Sequence, residues 1–199
     1  MDIDPKDIID AAEAATPRRV ARLNAAVAIT VAVLATLMGI FKVKDDNIVQ
    51  AMQQAQADKL DHWSYYQARN IRQEVAEATV TQLELARLSA TPAAAAAYDA
   101  AIARYRAVGE AQSKKKEESR AQAEQGQRYY DALNYRDDQF DLADALIAIA
   151  IAMLAVTALT QLWPLFWASL VPTLLGVMMG IAGLASMPIH PDALMRLLS

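Results

Sequence analysis

Charge is absent from two stretches of the chain, Leu23–Phe41 and Ala145–Pro188, and dense in the residues between them. Leu23–Phe41 has about the length that crosses a bilayer core, close to 20 residues. The second stretch is long enough for two crossings with a turn at Trp163-Pro164. This alternation of charge-free blocks with a polar middle predicts a membrane protein carrying a soluble module, not one water-soluble core.

Local signals refine the elements. Asp4-Pro5, Thr16-Pro17 and Thr91-Pro92 each place a capping oxygen before a proline. A proline at the first helical position loses nothing, because its missing N–H would be unpaired there anyway. The first pair predicts a short amphipathic helix from Pro5 to Ala14, the second the run into the first span, the third a long helix starting at Pro92. No Gly or Pro interrupts Lys44–Ser89, and Ala, Gln, Glu, Arg and Leu dominate it. That predicts one helix of roughly 45 residues, about 65–70 Å long. SATP at 89–92 ends it, and so short a turn makes the neighbouring helices antiparallel.

The predicted fold is therefore all-α. An N-terminal amphipathic segment covers 1–22 and a first span 23–41. An antiparallel, coiled-coil-like helical hairpin fills 42–141, with its tip at 89–92. Spans follow at 142–162 and 165–187, and a tail at 188–199. Pro172 should kink or delay the last span. In the tail, Leu194, Leu197 and Leu198 suit a short interfacial helix.

The uncut run from Leu23 and the KVKDD that follows it predict an uncleaved span. Arg18, Arg19 and Arg22 precede it; Lys42, Lys44, Arg136 and Arg196 flank the other ends. Weighting the first span most heavily places the N-terminus in the cytoplasm and the hairpin outside.

Along the hairpin's first leg apolar residues recur every eleven positions: Val49, Leu60 and Ile71; Met52 and Trp63; Ala55 and Tyr66. Eleven residues make about three turns, so each set forms a nearly straight stripe. Folding about the tip sets 55–66 opposite 115–126, where only Ala121 and Ala123 are apolar. The return leg cannot hide Leu60, Trp63 and Tyr66 at mid-height unless it shifts register near Gly109 or Gly126, whereas near the base Ile48 and Met52 meet Leu133 and Tyr129. Met52, Leu60, Trp63, Tyr66 and Ile71 thus form a candidate interface for a second copy or another protein's helix, with the neutral glutamines of this leg avoiding charge burial. Within the spans, Gly39, Gly176 and Gly180 are candidate close-packing positions, GVMMG at 176–180 being a literal GxxxG.

Chemistry is sparse. The net charge of −4 and the balanced polar middle give no footprint for nucleic acid. KKKEE at 114–118 reads as a solvated face with internal pairing. There is no Cys. His62 and His190 stand alone on different modules, and neither a nucleotide, zinc-protease, calcium nor serine-hydrolase motif occurs. No cofactor, metal or enzymatic activity is expected. Asp45, Asp46, Asp137, Asp138 and Asp141 come to one height if the hairpin closes, as a juxtamembrane acidic cluster either solvated and paired with Lys42, Lys44 and Arg136 or ringing the mouth of an oligomer.

Residues 24–73 resemble a bacterial membrane family catalogued as domain of unknown function 4337. Lys42, Lys44, Asp45, Asp46, Asn47, Gln50, Gln53, Gln54, Gln56, Trp63, Tyr65, Tyr66, Gln67, Arg69 and Asn70 carry the resemblance. It implies a bacterial inner-membrane protein and supplies no catalytic roles. Two functions remain in view: a structural or scaffolding homo-oligomer acting by helix–helix association in the membrane lipid, or an ion-conducting pore with an acidic vestibule.

Overall fold

The computed structural model describes residues 5–189, and side chains from Arg18 onward. Asp4, His190 and the expected interfacial helix of the tail lie outside them. Three helices account for the fold: α1 (Pro5–Arg87), α2 (Pro92–Thr160) and α3 (Trp163–Ala185). No strand occurs among the described residues. All three helices are long and apolar enough to cross a membrane.

The proline signals divide by context. Thr91-Pro92 opens α2, and the Thr91 carbonyl accepts from Ala94 N (2.9 Å) and Ala95 N (3.0 Å). Thr16-Pro17 is not a helix start: α1 is continuous from Pro5. Good helix-forming sequence on both sides keeps the helix going, and proline's fixed φ is itself helical. Likewise α3 begins at Trp163 and runs through Pro172 without delay.

The chain divides into two bodies, residues 1–49 with 134–199, and residues 50–133. In the first, the buried side chains recur by sevens on every helix. Val27, Leu34, Phe41 and Ile48 line α1; Phe140, Ile147 and Leu154, then Ala143 and Ala150, line α2. On α3 the seams are Phe166, Thr173 and Gly180, and Ser169, Gly176 and Gly183. A seven-residue period drifts only about 20° per repeat, so one stripe keeps facing its neighbours over several turns. Polar ends are tied down here too. Gln161, between α2 and α3, takes a left-handed φ of 58° and donates from Nε2 to Asn24 Oδ1 at 3.0 Å. Ser186, also left-handed, closes α3 with Met187 N bonding to Ala182 O at 2.9 Å.

The second body is an antiparallel pair of legs. Bonds in a tight turn, such as Ala90 N to Arg87 O at 3.1 Å, join them. Lys59 donates to Gln127 (2.9 Å), Arg69 to Gln112 (3.1 Å) and Lys116 to Asn70 (3.2 Å). Arg87 pairs with Asp99, and Arg106 with Glu84. Folding about the tip predicts residue 122 opposite Lys59, but Gly126 and Gln127 are there. The return leg is displaced by about one helical turn from that expectation.

Candidate functional site

Two places in the chain hold the residues singled out by sequence, one on the hairpin and one at the charged end of the three-helix body. On the hairpin, the close approach of the legs is made by small residues. A Cβ on Gly126 would lie 3.5 Å from Lys59 Cβ, and one on Gly109 would lie 3.9 Å from Ala76 Cβ. Ala55, Ala76, Ile102 and Ala123 are buried. Successive helical residues turn by about 100°, so Leu60, Ile71, Val75 and Leu85 fall on the side of α1 roughly opposite Ala55, Lys59, Arg69 and Ala76, which meet α2. All four point outward, Leu60 56% and Ile71 60% exposed.

The five predicted interface residues are thus split. Leu60 and Ile71 share the outer face. Trp63 is 36% exposed and meets Tyr66 edge-on, with ring centroids 5.5 Å apart. Tyr66 is half-buried. Met52 is only 9% exposed and is not available to a partner. Its eleven-residue kinship with Trp63 misleads because the buried seam at this end of α1 runs by sevens in two rows, Phe41, Ile48 and Ala55 beside Asp45 and Met52.

Between the legs lies a groove of about 410 Å³, lined in part by Gln54, Asp58, His62, Gln122, Gln125 and Tyr129. Gln54 Nε2 donates to Asp58 Oδ1 at 2.8 Å, and His62 Nδ1 is buried without a partner. Sequence reasoning missed Gln122 and Gln125 at this place, since only the observed register brings them to His62. Among the described residues, no group of three or more His, Cys, Asp or Glu is placed to hold a metal ion.

In the first body, the glycines set how closely the helices approach. A Cβ on Gly176 would stand 3.0 Å from Ile147 Cγ1, and one on Gly180 would land in the ring of Phe41. Gly183, unmarked by the GxxxG reading, belongs with them: a Cβ there would be 2.9 Å from the Phe140 ring. Ser169, Gly176 and Gly183, seven apart, were the signal available in the sequence. Gly39 does not pack as expected, for nothing lies within 4 Å of where its Cβ would be. It sits on the face of α1 turned away from the Phe41 seam.

The acidic cluster occupies the same end. Asp45 takes a position on the α1 seam, between Phe41 and Ile48, and is 4% exposed. Its Oδ2 accepts from Lys42 Nζ at 2.8 Å, and Asp46 Oδ1 lies 3.6 Å from the same ammonium. Hydrogen bonding to Asp45 and the two negative charges hold the Lys42 ammonium above its usual range. Burial, followed by the charge of Asp45, raises the Asp141 carboxyl. Asp138 accepts from Asn134 Nδ2 at 3.4 Å. Arg136 donates to Gly183 O from Nη2 at 3.1 Å, a cation at the C-terminal end of α3. Gln139, fully buried, donates to Met187 O (2.9 Å) and Ile189 O (2.6 Å).

A chain of three long apolar helices, with a polar helical pair inserted between the first two apolar segments, is the class these features define. The chain belongs to the family described as Domain of unknown function (DUF4337), whose model matches residues 23–186. The match takes in the Ala-rich tip and KKKEE as well as the 24–73 run. No curated protein and no solved structure matches the chain.

Proposed function

We propose that the chain is a membrane-anchored structural or scaffolding protein that works by self-association, the outer face of the hairpin's first leg packing against the same face of a second copy. The observation that carries this is the outward set of Leu60, Ile71, Val75 and Leu85 on the side of α1 away from α2. Aliphatic side chains aligned along a helix and left in water favour a partner helix, at about 25 cal/mol per Å² covered. The intervening Gln53, Gln56, Gln67 and Ala78 are neutral, and the one carboxylate at the edge of the face, Glu74, accepts a hydrogen bond from Asn70 Nδ2 at 2.7 Å, so like-charge repulsion between two identical faces is small. Three apolar helices would confine copies to one lipid layer and raise their effective concentration. Arg18, Arg19 and Arg22 favour an orientation with the hairpin outside a cytoplasmic membrane.

The native chain has no Cys, so single replacements report cleanly. Leu60→Cys and Ile71→Cys in native membranes should give disulfide-linked dimers on mild oxidation. Lys114→Cys, exposed on the return leg, is the control. Dimer yields at Leu60 and Ile71 no higher than at Lys114 would overturn self-association through this face. Labelling of Lys114→Cys by an impermeant maleimide in intact cells tests the orientation.

A further inference from the structure

At the end of the charge-free stretches, a buried carboxyl on α1, Asp45, meets a half-buried one on α2, Asp137. Asp45 lies one turn beyond Phe41 on α1, and Asp137 one turn before Phe140 on α2. The two rings, with centroids 6.1 Å apart, fix the register of the helices. That register brings the Asp45 and Asp137 side chains within hydrogen-bonding reach. Asp45 Oδ2 is satisfied by Lys42. Asp45 Oδ1 is buried and has no donor. Two ionised carboxylates offer only acceptors, so the facing Asp137 can satisfy that oxygen only by carrying a proton.

We propose that Asp137 holds a proton and donates it in a hydrogen bond to Asp45, forming a clasp between α1 and α2 that is closed when Asp137 is protonated and loosened when the proton is lost.

The surroundings favour holding that proton. Burial, then the hydrogen bond with Asp45, then the charges of Asp141, Asp45 and Asp138 push the Asp137 carboxyl up to about 7. On α1 the facing groups are Lys42, bonded to Asp45, and Asp46. On α2 they are Asp138, Asp141 and Asp144, Arg136 being committed to Gly183 O. α3 contributes no ionisable residue from Trp163 to Ala185. The charges of Asp141, Asp45 and Asp138 all act against a second charge on Asp137.

The sign of the pH effect follows. In the unfolded chain Asp137 loses its proton near the ordinary aspartate value, about 4. In the folded chain it keeps it to about 7. The stabilisation is therefore complete below the unfolded value, declines as pH rises between the two, and is gone above the folded one.

Thermal melting of the full chain in lipid nanodiscs, from about pH 5 to about pH 9, tests this. The melting temperature of the native chain should fall as pH rises and level off above neutrality. Asp137→Asn, which mimics the protonated acid, should lose most of that fall and melt above the native chain at alkaline pH. Superimposable profiles for the two would overturn the clasp. A second readout needs no variant. Dicyclohexylcarbodiimide modifies protonated carboxyls in apolar surroundings, and peptide mapping locates the adduct. At mildly acidic pH the adduct on Asp137 should exceed that on the exposed Asp46 several-fold, and it should vanish at alkaline pH. Asp45→Asn should reduce labelling of Asp137 at neutral pH, because the neighbouring charge that holds its proton is gone. Labelling of Asp137 that is equal at both pH values, or no greater than that of Asp46, would equally overturn it.

Discussion

In the three-helix body, Phe41 and Phe140 fill the space that Gly180 and Gly183 leave open. In the hairpin, the legs meet over Ala55, Ala76 and Gly126, and the large aliphatic side chains of α1 point outward. Between the hairpin's legs, Lys59, Arg69 and Lys116 reach across to Gln127, Gln112 and Asn70. The same two long helices supply both bodies, so the contrast comes from side chains and not from backbone. Large-against-small packing fixes one register, since a ring fits only where a glycine stands. A seam of alanines with hydrogen bonds from flexible side chains is far less selective. The bundle thus carries the specificity of the fold, while the hairpin leaves Leu60, Ile71, Val75 and Leu85 exposed.

The largest effect expected from disturbing this contrast is at Gly180. Gly180→Ala puts a methyl group into the fully buried Phe41 ring, which has Phe140 on its other side, and should destabilise by about 1–3 kcal/mol. Thermal melting in bicelles measures it. Phe41→Leu in the same background should recover part of the loss, and additive losses would show that the ring–glycine contact does not set the register.

Next is Gln139→Leu, which leaves Met187 O and Ile189 O without their donor and should cost about 1–2 kcal/mol. Proteolysis of the segment after α3 should speed up in parallel.

The hairpin should respond in the opposite direction. Gly126→Ala meets Lys59 at ordinary contact distance, so the gain in helix propensity prevails and stability rises by about 1 kcal/mol. A loss there would mean that the legs pack as tightly as the bundle. Smallest is Glu84→Gln, which removes an exposed pair with Arg106 and should change stability by less than about 0.5 kcal/mol, with even that difference fading in high salt.

Much of the architecture was legible in the chain. Freedom from Gly and Pro between Lys44 and Ser89, the SATP stop and the charge-free stretches are each local signals, and turn position and apolar segments followed from them; helix length did not, since the legs run on unbroken into the apolar segments as helices of 83 and 69 residues. Which residues share a face is also local, since it depends only on the helical repeat; hence Leu60 and Ile71 were found together. The errors lie where two helices meet. Met52 is covered, Gly39 is open and Gly183 was overlooked, because period alone cannot say which stripe faces a neighbour. The return leg's displacement by a turn moved the glutamines of the groove to His62 for the same reason.

By itself, then, the sequence determined an all-α chain, the stop before Pro92, and a polar pair of legs between apolar segments; that these segments join into three continuous helices came from the structure. Tertiary structure alone decided that Asp45 would lie inside the seam, against Asp137, while Asp46 beside it stays in contact with solvent. Neighbouring acids on a helix differ only in direction, about 100° apart. What that direction costs or gains depends on what the next helix places there, and the packing of Phe41 between Phe140 and Gly180 sets it.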